Sequence, residues 1–68
     1  MKMYRIDYND VYSCAACSKV EALSHAAQVA SGLIFKPLKI NKVSIIDTDL
    51  SLKKDTFTGL RVVQGIYL

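Results

Sequence analysis

Residues 18–34 form the stretch SKVEALSHAAQVASGLI, the only strong helical pattern in this chain of 68 residues. Ser18 followed by Glu21 matches a capping box, and Gly32 offers a C-terminal stop. Apolar residues recur at spacings of three and four, which predicts a buried face made of Val20, Leu23, Ala27, Ala30 and Ile34. The residues expected to face outward are Lys19, Gln28 and Ser31. His25 lies beside that outer face, so we expect it to be a surface residue.

The sequence on either side of this helix has the patterns of β-strands. Tyr4, Ile6 and Tyr8 alternate with Arg5 and Asp7, which is the period of a half-buried strand. Further strands are predicted at 42–46 and 60–68, with a possible short strand at 49–53 and a turn at 54–59. Residues 11–17 are either a loop or the second arm of a hairpin that leads up to the helix.

These elements predict an α+β fold with a single helix packed on a four- to five-stranded antiparallel sheet, in the order β(β)αβββ. Residues 1–68 are expected to form one domain, because a chain of this length builds only one core. No apolar run approaches the roughly 20 residues of a membrane span, and the N-terminus lacks the apolar stretch of a signal peptide. We therefore expect a soluble, cytoplasmic protein without membrane contact.

Cys14 and Cys17 form a Cys-Ala-Ala-Cys motif just before the helix, the only motif that could carry covalent chemistry. Residues 4–23 resemble the start of a glutaredoxin, in which the helix N-terminus lowers the pKa of the first thiol. The rest departs from that family, since the only proline, Pro37, follows the first helix. A zinc site would lack ligands, because His25 is the only further candidate. We favour packing of two small apolar residues and expect no enzyme, no metal and no other cofactor.

The positive charges are clustered. Nine Lys and Arg against six Asp and Glu leave a net charge of +3. Lysines 36, 39 and 42 fall in a segment without acidic residues, and cations flank the predicted turn at Lys53, Lys54 and Arg61. These cations are either a solvated rim or contacts to phosphates or to an acidic protein face.

The helix also carries a resemblance to a known family. The run 23–31, LSHAAQVAS, preceded by Val-Glu-Ala and followed by a β-rich C-terminal half, resembles the small phage-encoded anti-CRISPR proteins that inhibit type I-F surveillance complexes. The resemblance implies one helix against an antiparallel sheet. It also implies a stoichiometric inhibitor that docks on a host ribonucleoprotein complex and blocks pairing of target DNA with the guide.

Such an inhibitor needs a mixed basic and aromatic face. The residues that we expect to form it are Tyr4, Arg5, Tyr8, Lys36, Lys39, Lys42 and Arg61. Tyr8 and Arg61 are the preferred anchors if they are exposed, because Tyr and Arg are common interface anchors.

Three other functions remain open. One is a small nucleic-acid-binding regulator that uses the same lysines as phosphate contacts. Another is an antitoxin-like partner protein, and the least favoured is a thioredoxin-like oxidoreductase. A homodimer through an edge strand is compatible with each function, and the apolar C-terminal strand is the candidate for that edge.

Overall fold

The computed structural model describes residues 2–47 and 51–65. In this part of the chain one helix packs on a five-stranded antiparallel sheet, which confirms the predicted α+β class. The strands are β1 (Met3–Tyr8), β2 (Tyr12–Ala16), β3 (Ile40–Ile46), β4 (Lys53–Lys54) and β5 (Arg61–Gln64), and the helix α1 is Lys19–Val29. The order in the sheet is β3-β1-β2-β5-β4. The predicted strands 49–53 and 60–68 each extend partly outside the described residues.

Strands β1 and β2 form a hairpin, so residues 11–17 contain the second hairpin arm. Tyr8 lies opposite Tyr12 at the closed end. Asn9 and Asp10 both have positive φ angles, of 46° and 69°, a conformation that these two residue types tolerate better than most. The amide of Val11 donates a hydrogen bond to the Asn9 carbonyl over 2.8 Å. The Asn-Asp pair therefore sets the reversal that brings β1 and β2 together.

The helix begins where the capping box places it. The Ser18 hydroxyl oxygen accepts a hydrogen bond from the Glu21 amide over 3.2 Å. The same hydroxyl donates to the Glu21 carboxylate over 2.9 Å. The predicted stop at Gly32 is wrong, because α1 continues into one π-helical turn at Ala30–Ile34 and ends at Phe35, whose φ is 59°.

The predicted buried face of α1 is wrong for part of its length. The buried residues of the helix are Ala22, His25, Ala26 and Val29. Val20 is 76% exposed and Ala27 is also exposed, whereas Ala30 is buried as expected. Alanines occur on both sides of this helix, so hydropathy alone does not fix which side faces the sheet. The face that packs on the sheet is the one with Ala22 and Ala26, and it also carries His25, whose polar contact is described below.

The core has two parts, one on each face of the sheet. The part between α1 and the sheet contains Ile6, Tyr8, Cys14, Ala16, Ala22, Ala26, Val29 and Val62. On the other face, buried Met3 and Ala15 pack with Ile46, Leu52 and Val63. Strand β5 is interior, paired with both β2 and β4, so the expectation that the C-terminal strand is a sheet edge is wrong for its described residues. No helix in the described ranges is both long and apolar enough to cross a bilayer.

Candidate interaction surface

The seven residues predicted to form one basic and aromatic face do not lie together. Successive side chains of a strand point to opposite faces of the sheet. Tyr4 and Tyr8 therefore share the helix side with Ile6, whereas Arg5 lies on the opposite face. Tyr8 is only 2% exposed, and this burial raises the pKa of its phenol to about 12. Tyr8 thus fails the exposure that an anchor requires.

Three of the predicted cations share the sheet face away from the helix. Lys42 lies opposite Asp7, which is on the Arg5 side of β1, and Arg61 is on the side of β5 that carries Val63. The Arg5 Nε donates to the Asp7 carboxylate over 3.0 Å, so the charge of Arg5 is already compensated. Arg61 is exposed, as the prediction required. Lys42 lies at a diagonal from Arg5 on the neighbouring strand, whereas Arg61 lies two strands away from Arg5, so the three cations do not form one patch.

The remaining two cations, Lys36 and Lys39, line a depression beside the hairpin turn, together with Asn9, Asp10 and Pro37. The Lys39 Nζ donates to the Asp10 carboxylate over 3.1 Å. This bond and a second from the Asn41 amide group lower the pKa of Asp10 below its usual value. The Lys39 amide donates to the Asn9 side chain over 2.8 Å. Lys39 therefore ties the chain between α1 and β3 to the hairpin turn.

An apolar groove of about 430 Å³ opens next to this depression. The hairpin supplies one wall and the π-helical turn the other, and the lining includes Val11, Tyr12, Leu33 and Ile34. Val11, Tyr12 and Leu33 are large apolar or aromatic residues that remain exposed. Tyr12 stacks on Tyr8 with ring centroids 5.6 Å apart, so its ring packs against the core although Tyr12 is 41% exposed.

Phe35 joins the groove to the basic depression along the chain. It follows Ile34 of the groove, precedes Lys36 of the depression, and is 81% exposed. Its left-handed backbone conformation costs a residue with a side chain roughly 1–2 kcal/mol. A large apolar residue thus occupies a position where neither burial nor backbone preference stabilises it. The left-handed conformation itself ends the helix, where the Lys36 amide donates to the Ala30 carbonyl over 3.0 Å, so the exposed side chain rather than the backbone points to an interface.

These features define the hairpin-end surface. Its members are Val11, Tyr12, Leu33, Phe35, Lys36 and Lys39. Lys36 and Lys39 were predicted from the sequence, whereas the four apolar members were not. Their signal in the sequence is weak: a hydrophobic residue next to a turn is normally assigned to the core.

A buried polar network joins α1 to the turn between β4 and β5. His25 is fully buried, and its Nδ1 lies 3.0 Å from the Thr58 hydroxyl oxygen. The expectation that His25 is a surface residue is therefore wrong. The Thr58 hydroxyl donates to the Asp55 carboxylate over 3.0 Å, which leaves Thr58 as the acceptor of a proton on His25 Nδ1. Asp55 also accepts from the Thr58 amide and, over 2.7 Å, from Gln64.

The protonation of His25 follows from this network. With the proton on Nδ1, the buried Nε2 is a bare acceptor, and it makes no hydrogen bond to the described residues. Burial lowers the pKa of His25, and the Asp55 carboxylate 3.8 Å away offsets only part of that effect. His25 is thus neutral near pH 7 and acts as a structural connector between α1 and the turn.

The two cysteines differ in environment. Cys14 is buried on β2, and its thiol donates to the Ala22 carbonyl at 3.5 Å. Burial, helped by the charge of Asp7, raises the pKa of Cys14 to about 12. Cys17 is exposed, and both thiols are free. A protonated, buried Cys14 has the opposite character to the thiolate that an oxidoreductase uses. Its contacts support the packing role for Cys14, whereas the packing predicted for Cys17 is wrong because Cys17 is exposed.

Within residues 2–47 and 51–65, no group of three or more His, Cys, Asp or Glu side chains is arranged to hold a metal ion. Comparison of the chain with known proteins found no matching family model, no matching curated protein and no matching solved structure. The candidate site supported by geometry is the hairpin-end surface, which combines exposed apolar side chains, a groove and two lysines.

Proposed function

We propose that this protein is a stoichiometric inhibitor that binds a host defence complex through the hairpin-end surface. The observation that carries the proposal is the exposed side chain of Phe35 beside the groove that contains Tyr12. This arrangement is unfavourable for the isolated chain. It becomes favourable if a partner covers these side chains.

The composition of the surface fits a protein interface. Exposed aromatic and aliphatic residues at a concave site are typical binding anchors, and polar residues at the rim add specificity. Lys36 and Lys39 provide such a rim next to the groove. A lysine rim also suits a partner that carries nucleic acid, because cations near the interface steer association with phosphates.

The class of target comes from the resemblance to small phage-encoded anti-CRISPR proteins. A guide-bearing surveillance complex combines protein grooves with exposed phosphates. A small rigid domain can occupy the path of the target DNA and act without any chemical reaction. This mode of action requires one inhibitor per occupied site and predicts a sharp endpoint in titrations.

The test is a gel-shift titration with purified type I-F surveillance complex and its labelled target duplex. The protein is expected to abolish target binding at a fixed molar ratio. Tyr12→Ala and Phe35→Gly should each weaken inhibition by about tenfold, the scale of an interface anchor. Val20→Ala is the matched control, because Val20 is a highly exposed apolar residue at the other end of α1.

Two results contradict the proposal. If an excess of the wild-type protein leaves target binding unaffected, the protein does not inhibit this complex. If both variants inhibit fully and their circular dichroism is unchanged, the hairpin-end surface is not the site that contacts the complex.

A second candidate function is nucleic-acid binding, favoured by the cations on the sheet face away from the helix. Lys54 lies opposite Arg61 in the β4–β5 register, so the two charges are neighbours at one side of that face. Such a pair can contact a phosphate backbone. Fluorescence anisotropy with labelled duplex across a salt series tests this function. The slope of the logarithm of the binding constant against the logarithm of the salt concentration should fall in magnitude by about 1 in Lys54→Ala and in Arg61→Ala. Binding that does not depend on salt would contradict nucleic-acid binding.

A further inference from the structure

The β4–β5 turn, residues 55–60, is closed by hydrogen bonds of Asp55. The Gly59 amide donates to the Asp55 carbonyl over 2.8 Å, and the Asp55 amide donates to the Leu60 carbonyl over 2.8 Å. The Asp55 carboxylate also binds Thr58, so the turn is one compact unit. Strand β4, which leads into the turn, has 2 residues and pairs, among the described strands, with β5 alone. The position of the turn therefore depends on its contacts with the helical segment.

Two contacts of different kinds join the turn to that segment. One is polar: the Thr58 hydroxyl oxygen lies 3.0 Å from Nδ1 of the buried His25. The other is apolar: the Phe57 ring lies so close to Gly32 that a Cβ at that position would overlap the ring. Gly32 belongs to the π-helical turn, and residues 33 and 34 of that turn line the apolar groove. The β4–β5 turn thus packs against the segment that forms one wall of the groove.

Gln64 connects the same turn to the groove a second time. Gln64 is one of the residues that line the groove. Its Nε2 donates to the Asp55 carboxylate over 2.7 Å, so the position of this side chain depends on the turn. In the register of β2 and β5, Gln64 lies opposite Cys14, on the helix side of the sheet. The groove therefore has two boundaries, Gln64 and the π-helical turn, that contact the β4–β5 turn.

We propose that the β4–β5 turn holds the groove in its binding shape and that protonation of His25 releases the turn, so that the groove loses this shape at low pH. The inference rests on the proposed function only in assigning partner binding to the groove. Because Nδ1 already donates to Thr58, an added proton must go to Nε2, which is buried and makes no hydrogen bond to the described residues. A buried charged donor without an acceptor is strongly unfavourable. Opening of the turn relieves this cost, because it lets water reach His25.

The surroundings of His25 make it the group that titrates. Asp55, at 3.8 Å from Nδ1, and Gln64 both favour the charged form of His25, but burial outweighs them and lowers its pKa. Bonds within the turn, first of all that from the Thr58 amide, lower the pKa of Asp55, so Asp55 stays ionised. Other titratable side chains on α1 or on the helix face of the sheet are Lys19, Glu21, Tyr4, Tyr8, Tyr12, Cys14 and Lys53. Histidine is the side chain whose charge ordinarily changes between about pH 5 and 8.

NMR spectroscopy of the full chain, from about pH 7 to about pH 5, tests the coupling without any partner. As the His25 ring titrates, the hydrogen-exchange protection factors of the Thr58 and Gly59 amides should fall, because both amides donate hydrogen bonds within the turn. The backbone amide signal of Leu33 and the side-chain amide signal of Gln64 report on the groove. Both should move with the same midpoint as the His25 ring.

Thr58→Val removes the hydroxyl that His25 contacts. At neutral pH this variant should already show the Leu33 and Gln64 signals that the wild type shows only at low pH. Thr56→Val is the matched control, because it is the same change at an exposed position of the same turn. Its signals should titrate as those of the wild type do. If Thr58→Val does not fold, the titration of the wild type decides by itself.

Either half of the proposal can be overturned. If the turn loses protection while the Leu33 signal stays fixed, or if folded Thr58→Val keeps the wild-type spectrum at neutral pH, the turn does not control the groove. If His25 titrates without loss of protection in the turn, or stays neutral down to about pH 5, protonation of His25 does not release the turn. None of these readouts involves the surveillance complex, so a failure of inhibition in the gel-shift titration and a failure of this coupling are distinguishable.

Discussion

Two regions of the molecule differ in which groups they bury: one buries polar groups, and the other leaves apolar groups exposed. Toward the β4–β5 turn, His25, Thr58 and Asp55 bring polar atoms into the protein and satisfy nearly all of them. At the hairpin-end surface, apolar side chains remain in solvent, and Phe35 has a strained backbone. The first region, which we call the anchored flank, stabilises the fold. The second region lowers stability and leaves side chains available to a partner.

The largest effect is expected from breaking the anchored flank at Asp55. Asp55→Ala removes the acceptor for the Thr58 amide, the Thr58 hydroxyl and Gln64. Each hydrogen bond to a charged group contributes about 1.5–3 kcal/mol, so the loss of three should lower the free energy of unfolding by at least about 2 kcal/mol. Urea denaturation measures it. Asp55→Asn keeps an oxygen for Thr58 and should cost less; equal losses would show that the network is not the cause.

Low pH should destabilise the anchored flank, because the unfolded chain protonates His25 more readily than the folded protein does. Its folded pKa is lowered below the usual value of 6.5, so the folded protein binds fewer protons than the unfolded chain. The contribution to stability is complete above about pH 6.5 and is lost as the pH falls through the folded pKa. Asp55 and Asp10, whose pKa values are lowered from 3.8, lose their contributions only at lower pH.

The measurement is the urea midpoint at several pH values between 7 and 5. The wild-type midpoint should fall across this range. His25→Gln removes the titrating group and should flatten the profile, although its midpoint at pH 7 will be lower. A wild-type profile that is already flat would contradict a neutral, buried His25.

At the hairpin-end surface we expect a substitution to raise the free energy of unfolding rather than to lower it. Phe35→Gly relieves the left-handed strain and exposes no new cavity, because Phe35 is already in solvent. The free energy of unfolding should rise by about 1 kcal/mol while inhibition weakens. Thermal unfolding beside the gel-shift titration shows both effects. If Phe35→Gly lowers stability, the side chain contributes to packing and the contrast between the two regions fails.

The smallest effect is expected at Lys39. Both side chains of its ion pair with Asp10 are exposed, and such pairs contribute little to stability. Lys39→Met should leave the melting temperature unchanged within error but weaken partner binding in a salt-dependent way. Loss of stability on this change would assign Lys39 to the fold rather than to the rim of the hairpin-end surface.

The sequence predicts the element order and the helix start because these depend on local patterns. The Ser18 and Glu21 cap and the alternation along β1 need no distant partner. The position of His25 could not be predicted, since its contact with Thr58 joins residues 33 positions apart. The hairpin-end surface was missed for a different reason. Its apolar residues look like core residues, and their exposure depends on where the hairpin turn and the π-helical turn end.

The order of strands in the sheet also has a consequence for folding. The β1–β2 and β4–β5 hairpins join neighbours in the chain and can form within microseconds. Strand β3 must instead pair with β1 after the chain has passed through β2 and α1. The contact between Asp10 and Asn41 closes such a loop, because the two residues are 31 positions apart in the sequence. Closing that loop costs entropy before any contact repays it, so we expect β3 to dock late. A strand that docks late leaves β1 as an unpaired edge of the sheet until the rest of the chain is in place.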